Sequence, residues 1–231
     1  MTEHFPPAPA DLVEVMREPF KAQQGFSYGK DTWKRWLEGI PGAVEALDSL
    51  QEPIDRAQVA EAFESLWQTN TEGAFTAVMV WGYGKKNRGG YRTARVLSQD
   101  SQPKGAPLDA SVTERLRASV NIVHEEGAIE GFRYLNNRKL NGQAGGKIKW
   151  LGPAFFTKWL YYASASEPDK TLTAAAPILD RRVRDWLADR DIRIRNGNTK
   201  EYRKYIELLS SWGEAYDLAP SQVEQLIFSI S

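Results

Sequence analysis

The sequence predicts an all-α, predominantly helical protein arranged as two helical lobes with a cleft between them. Three observations carry that expectation. Apolar residues recur at three- and four-residue intervals along most of the chain. Few stretches alternate with the period of two that a half-buried strand requires. The breaks between periodic segments are rich in glycine. Segment 55–67 sets Val59, Ala62, Phe63 and Leu66 on one stripe, with Asp55 placed to cap a helix. The run 74–81 follows Thr69, Asn70 and Thr71, which can start a helix, although a short strand also satisfies it. The basic stretch GYGKKNRGG at 82–90 should break regular structure and, with the loops to 110, divide the lobes. Val112, Leu116, Val120 and Val123 mark a helix over 111–126, followed by a polar-ended one over 128–140. NGQAGG (141–146) is a break, and helices are expected over about 153–165, 181–190, 199–217 and 220–230. There is no internal repeat, and 1–231 reads as one compact domain.

Composition narrows the chemistry. With 231 residues, 42% of them hydrophobic, and eight Trp, the chain can bury a substantial core. No apolar run approaches the roughly 18 residues of a membrane span. The amino-terminal MTEHFPPAPADLVE has no charged-then-apolar signal pattern, so a cytoplasmic location is expected. The absence of cysteine excludes disulfides, thiolate zinc sites, cysteine-ligated iron–sulfur clusters and a cysteine nucleophile. Two histidines, His4 and His124, leave little for a histidine-rich metal site or a Ser-His-Asp triad. No metal or cofactor is expected.

The zero net charge conceals an asymmetry. Residues 1–75 hold 6 basic and 13 acidic side chains, 78–97 hold 5 basic and no acidic ones, and 138–205 hold 15 basic and 7 acidic. The charges of 206–231 are all acidic. Two basic blocks on a neutral chain suggest one positive face for a polyanion, with ordinary solvated helix faces as the alternative. Two glycine-rich motifs are discarded. GYGKKN lacks the third glycine of a dinucleotide fingerprint and follows no clear strand. NGQAGGKI has Asn141 where a P-loop needs its first glycine, and Ile148 where it needs Ser or Thr.

The informative stretch is 147–187. Ile148-Lys149-Trp150-Leu151 meets a tight turn at Gly152-Pro153-Ala154, and Pro153 suits the first turn of a following helix. Backbone N–H groups at such a helix start can hold a phosphate, to which Lys149 adds charge. Leu151, Phe155, Lys158 and Tyr162 then fall at spacings of 4, 3 and 4, a core-facing stripe that contains one lysine. Desolvation there would favour the neutral, nucleophilic amine; the alternative is a stem on the apolar face with its ammonium in water. Asp180 closes the apolar Pro177-Ile178-Leu179 and opens a helix with inner stripe Val183, Trp186 and Leu187. It can be a plain N-cap, or a carboxylate at a pocket mouth that stabilises cationic charge.

This order of turn, lysine and aspartate resembles the helix–hairpin–helix DNA glycosylase superfamily, in its 8-oxoguanine glycosylase-like branch. That family shows a Leu-x-Gly-x-Gly-like hairpin, a Thr-Lys or equivalent, and an aspartate after an apolar segment. Here these are Leu151-Gly152-Pro153-Ala154, Thr157-Lys158 and Ile178-Leu179-Asp180. The resemblance covers about 40 residues, and makes 147–190 the helix–hairpin–helix and catalytic segment. It implies Lys158 as nucleophile and Asp180 as the carboxylate that supports charge developing on the sugar. Gly152 and Ala154 would grip a DNA phosphate through backbone amides, helped by Lys149, Thr157, Arg181 and Arg182. Lys85, Lys86 and Arg88 of the basic loop would meet further phosphates. Trp81, Tyr83, Phe155, Trp159 and Tyr162 are the candidate pocket for a flipped base, most of the neighbouring aromatics being core.

The departures are Ala154 in place of the hairpin's second glycine, and Arg181-Arg182-Val183 where many relatives have a histidine two residues after the aspartate. The lack of cysteine rules out the iron–sulfur cluster of the endonuclease III-like branch. The implied activity is cleavage of the N-glycosidic bond of a modified base in double-stranded DNA, by a monomer, leaving an abasic site. By family analogy the expected role is antiviral defence against phage DNA carrying glucosylated hydroxymethylcytosine. The alternatives are an 8-oxoguanine repair glycosylase with lyase activity and a DNA-binding module without chemistry.

Overall fold

The computed structural model describes residues 5–21, 23–86, 88–166 and 175–231; His4, and Asn87 within the basic loop, lie outside them. Helices dominate: α1 (Ala10–Met16), α2 (Lys30–Leu37), α3 (Pro41–Ser49), α4 (Arg56–Leu66), α5 (Thr71–Tyr83) and α6 (Gly89–Ser98) come first. Then follow α7 (Ala110–Glu126), α8 (Ala128–Asn136), α9 (Pro153–Ala165), α10 (Arg181–Ala188), α11 (Thr199–Gly213) and α12 (Pro220–Ile230). Among the described residues, none is long and apolar enough to cross a membrane.

Caps explain many of the boundaries. The carboxylate of Asp55 accepts from the Gln58 N–H at 2.9 Å and opens α4. The side-chain oxygen of Asn70 accepts from Gly73 N–H and opens α5, so the run 74–81 is helical. Helix α5 is buried nearly all round because α3, α4, α6, α7 and α9 all pack on it. That encirclement explains why its sequence lacks an amphipathic stripe.

Helices α2 to α6 form one group and α7 to α12 the other, with α5 against α9 as a main seam between them. The division falls after α6, in the loop 99–109 and so within the 82–110 stretch expected to divide the lobes, but the first part of that stretch is largely helical. Gly82 and Tyr83 complete α5, and Gly89-Gly90 start α6. Both glycines of α6 lie hard against Trp33; a Cβ at Gly89 would collide with its indole. They are therefore packing residues, not breaks. The stretch 139–144 is also more ordered than a break: Lys139–Leu140 pairs antiparallel with Gln143–Ala144 across an Asn141-Gly142 turn. Asn141 and Gly142 both have positive φ, as a two-residue hairpin turn requires.

Candidate active site

Lys158 lies in the second turn of α9 and is 6% exposed. Its aliphatic stem crosses α5 at Gly82, where a Cβ would stand 2.7 Å from the lysine Cδ. Its ammonium Nζ donates to Asp180 Oδ2 at 2.8 Å and to the Ala154 carbonyl at 3.2 Å. The other Asp180 oxygen accepts from Arg182 N–H at 3.0 Å, capping α10. Asp180 is thus at once a helix cap and the partner of the buried lysine. Burial pushes the Asp180 carboxyl up, but the Lys158 ammonium and the cap bond outweigh it and hold its pKa below the ordinary carboxylate value.

What places Asp180 is the preceding extended strap, 176–180, whose backbone groups find side-chain partners instead of a regular ladder. Ala176 N–H donates to Ser164 Oγ at 2.8 Å, and Leu179 N–H to Thr157 Oγ1 at 3.0 Å. The hydroxyls of Tyr202 and Tyr205 donate to the carbonyls of Pro177 and Ile178 at 2.9 and 3.0 Å. Ile178 N–H donates to the Glu224 carboxylate. Thr157 is thus a clamp on the strap. It is fully buried and cannot meet DNA, which corrects the role expected for it.

Beside the Lys158–Asp180 pair is a cavity of about 60 Å³ lined by Arg56, Trp81, Gly82, Ile178, Glu224 and Phe228 together with the pair itself. Its walls hold polar groups without partners among the described residues: Glu224 Oε2, Trp81 Nε1, and Nε and Nη1 of Arg56. The Arg56 guanidinium lies 4.6 Å from the Trp81 ring centre and 4.7 Å from that of Tyr161, whose hydroxyl it also hydrogen-bonds. Burial pushes the Glu224 carboxyl up to about 7, against the pull of Arg56 and Lys158. A groove of about 360 Å³ shares Gln23, Arg56 and Phe228 with this cavity and continues past Lys21 and Arg182.

The aromatic expectations divide. Trp81 lines the cavity. Tyr83 and Phe155 stack on each other at 4.3 Å beside it, with the Phe155 ring 5.7 Å from Lys158 Nζ. Trp159 and Tyr162 belong to the core, contrary to expectation. Trp159 is wedged between Phe63 and Phe75 and donates to Ser119 Oγ, and Tyr162 packs on Phe63 and Trp81. They follow the stripe of α9 inward, where α4 and α5 cover it.

The basic residues stand at the edges. Lys149 is exposed before the turn, Gly152 caps α9 with open space where a Cβ would be, and Ala154 turns its carbonyl to Lys158. Arg182 lies over the Phe228 ring at 4.5 Å at the groove, while Arg181 points out and pairs with Asp185. Lys85, Lys86 and Arg88 are exposed between α5 and α6. His124 is structural, with Nε2 3.0 Å from the Ala163 carbonyl, tying α7 to α9.

Sequence reasoning missed Arg56 and Glu224. Each leaves a local signal. Glu224 falls inside the buried stripe Val223, Ile227 of α12, and Arg56 puts a cation in the first turn of α4, where a helix disfavours it. A family model described as "Putative 8-oxoguanine DNA glycosylase OGG-like protein" matches residues 21–228. Comparison with curated proteins and with solved structures gave no match.

Proposed function

The chain belongs to the OGG-like 8-oxoguanine DNA glycosylase family, and from that premise we propose that it excises a modified base extruded from duplex DNA, with Lys158 and Asp180 as the reacting pair. The observation that carries the reading is the 2.8 Å Lys158–Asp180 contact beside a cavity whose lining residues include Glu224, Trp81 and Arg56, with Glu224 Oε2, Trp81 Nε1 and Arg56 Nε and Nη1 lacking partners among the described residues. Buried polar groups without partners are costly in a structural core, and are expected where a ligand supplies the missing bonds.

Asp180 stabilises positive charge on the deoxyribose as the C1′–N bond breaks, its electron pair leaving with the base, which takes up a proton. Lys158 surrenders a proton as its nitrogen bonds to C1′ and quenches the charge on the sugar, when Asp180 Oδ2 is the acceptor within reach and its own charge is no longer needed there. The Lys158–C1′ adduct opens to a Schiff base as the C1′–O4′ bond breaks and O4′ takes up a proton, and that Schiff base gives strand nicking by elimination; if the lysine stays an ammonium, water attacks and an abasic site is the product. At about 60 Å³ the cavity is far smaller than the roughly 300–1,000 Å³ usual for ligand pockets, so the base must displace side chains to enter. Phe228, which lines both the cavity and the groove and carries the Arg182 guanidinium on its ring, is the side chain whose displacement would join the two.

The adjoining groove, whose lining includes Phe228 as well as Lys21, Gln23, Arg182, Gln225 and Ser229, offers room for a bulky substituent on the base and polar side chains to bond its hydroxyls. That favours glucosylated hydroxymethylcytosine in phage DNA, and hence a defence role; the family's own description favours 8-oxoguanine. The test is mass spectrometry of bases released by the wild type and by Asp180→Asn from phage DNA with natural or glucosylated hydroxymethylcytosine, and from 8-oxoguanine duplexes. Release by the wild type alone names the substrate. Binding of every DNA without release by either protein would leave a binding module and overturn the enzymatic reading.

A further inference from the structure

Away from the catalytic cavity, a second opening of about 320 Å³ is lined by Arg115, Arg138, Lys147 and Lys149, with Gln99 as a neutral neighbour. The cations come from three elements distant in sequence: α7, the end of α8 leading into β1, and the segment between the β-hairpin and α9. No carboxylate lines the opening, and none of the four forms an ion pair with a described acidic side chain. Like charges gathered without a counter-charge repel one another, so their convergence is unfavourable unless an anion is brought in.

The arrangement is braced by uncharged contacts. Arg115 Nη1 donates to the Lys147 carbonyl at 3.2 Å, which aims the guanidinium across the opening. Gly145 and Gly146 press the chain against α8, where a Cβ would collide with the Asn137 carbonyl and the Tyr134 ring respectively. Gly145 N–H donates to the Arg138 carbonyl and Lys147 N–H to that of Asn137. Trp150 then takes a φ of 64°, a left-handed conformation that is strained for a bulky residue. Its indole thereby receives both Lys149 Nζ and Arg95 Cζ at 4.1 Å from the ring centre. Arg95 belongs to the first basic block of the sequence and the others, Arg115 apart, to the second. The fold unites the two.

We propose that this cradle is a second phosphate-binding site, which holds the DNA backbone flanking the extruded nucleotide. It rests on the reading of the chain as a DNA-acting protein, and extends the footprint beyond the Gly152–Ala154 turn to Arg115, Arg138, Lys147 and Arg95. Four or five cations exceed what one phosphate needs, and Lys149, shared with the turn, makes the two sites continuous along one strand of polyanion.

The experiment measures binding to an unmodified duplex as a function of salt for the wild type, for Arg138→Gln/Lys147→Gln, and for Lys34→Gln/Arg35→Gln on α2 as a control that removes equal charge elsewhere. Arg138 and Lys147 are exposed, so the fold should tolerate the change. Each lost phosphate contact should reduce the slope of log affinity against log salt by about 0.9. The cradle variant should lose between one and two such contacts and bind at least tenfold more weakly at low salt, with the control at the wild-type slope. A cradle variant with the wild-type slope, or a control that loses as much, overturns the proposal while DNA binding stands. A wild type without salt-dependent binding overturns the DNA reading and the cradle with it.

Discussion

Replacing Glu224 with Gln should stabilise the protein in a way that depends on pH. Glu224 is 2% exposed, with one carboxylate oxygen on Ile178 N–H and the other without a partner. Burial raises its pKa from 4.5 to about 7. The native state therefore holds a proton that the unfolded chain gives up between those values, and stability falls as pH rises through that window. At about 1.4 kcal/mol per pK unit, the penalty is about 3 kcal/mol once pH is well above 7, and below about 1 kcal/mol at pH 5. Glutamine has no charge to desolvate, and its amide oxygen can still accept from Ile178. The stability difference between Glu224→Gln and wild type should thus be larger at pH 8 than at pH 5 by about 2–3 kcal/mol. Urea unfolding at both pH values reads it as a midpoint shift of roughly 1 M, for a slope on the order of 2–3 kcal/mol/M. Other titrating groups cancel in the comparison. A difference that does not change with pH, or a variant less stable than wild type at pH 8, would refute the assignment of Glu224 as a buried, desolvated acid.

Lys158→Gln should abolish borohydride trapping on DNA, and trapping that persists would remove the lysine as nucleophile. Asp180→Asn should reduce base release by about 10²-fold or more, as expected for loss of a charge that stabilises the transition state, measured by single-turnover kinetics. It should also remove the acid-side stability loss that arises when the low-pKa Asp180 carboxylate is protonated, so its unfolding midpoint should fall less between pH 5 and pH 3 than that of wild type. Thr157→Val leaves Leu179 N–H unsatisfied at a cost of about 1–3 kcal/mol, and by loosening the strap should lower base release beyond what the stability loss explains. Gly82→Ala should fold yet lose activity, because its Cβ would displace the Lys158 stem; circular dichroism and base release measured together check both halves.

The parts of this site legible in the sequence are those fixed by local rules. Asp180 announces itself as a cap, Pro153 as a first-turn residue, and Lys158 as the one charge in an apolar stripe. Trp159 and Tyr162 were misassigned as stacking surface for a base, since an aromatic on the inner face of α9 reads alike whether it meets a ligand or the ring of Phe63. Arg56 and Glu224 escaped because their meaning depends on juxtaposition. They stand 168 residues apart, and only the packing of α4 and α12 around the strap brings both to Lys158. Gly89 and Gly90 misled in the opposite direction, looking like a loop when they were making room for Trp33.

The strap explains why the Asp180 carboxylate can be held firmly although its chain approaches from outside any helix or sheet. An extended segment in a helical protein has no ladder to join, so each buried backbone group would be a liability. Here those groups are satisfied by Ser164, Thr157, Tyr202, Tyr205 and Glu224, drawn from α9, α11 and α12. A register slip by one residue would break all of these bonds at once, which pins Asp180 opposite Lys158. Because Glu224 is both a strap anchor and a wall of the cavity, anything that enters and bonds its free oxygen acts on the segment that carries Asp180. The Ile178–Glu224 bond thus joins a wall of the cavity to the segment that sets Asp180 opposite Lys158.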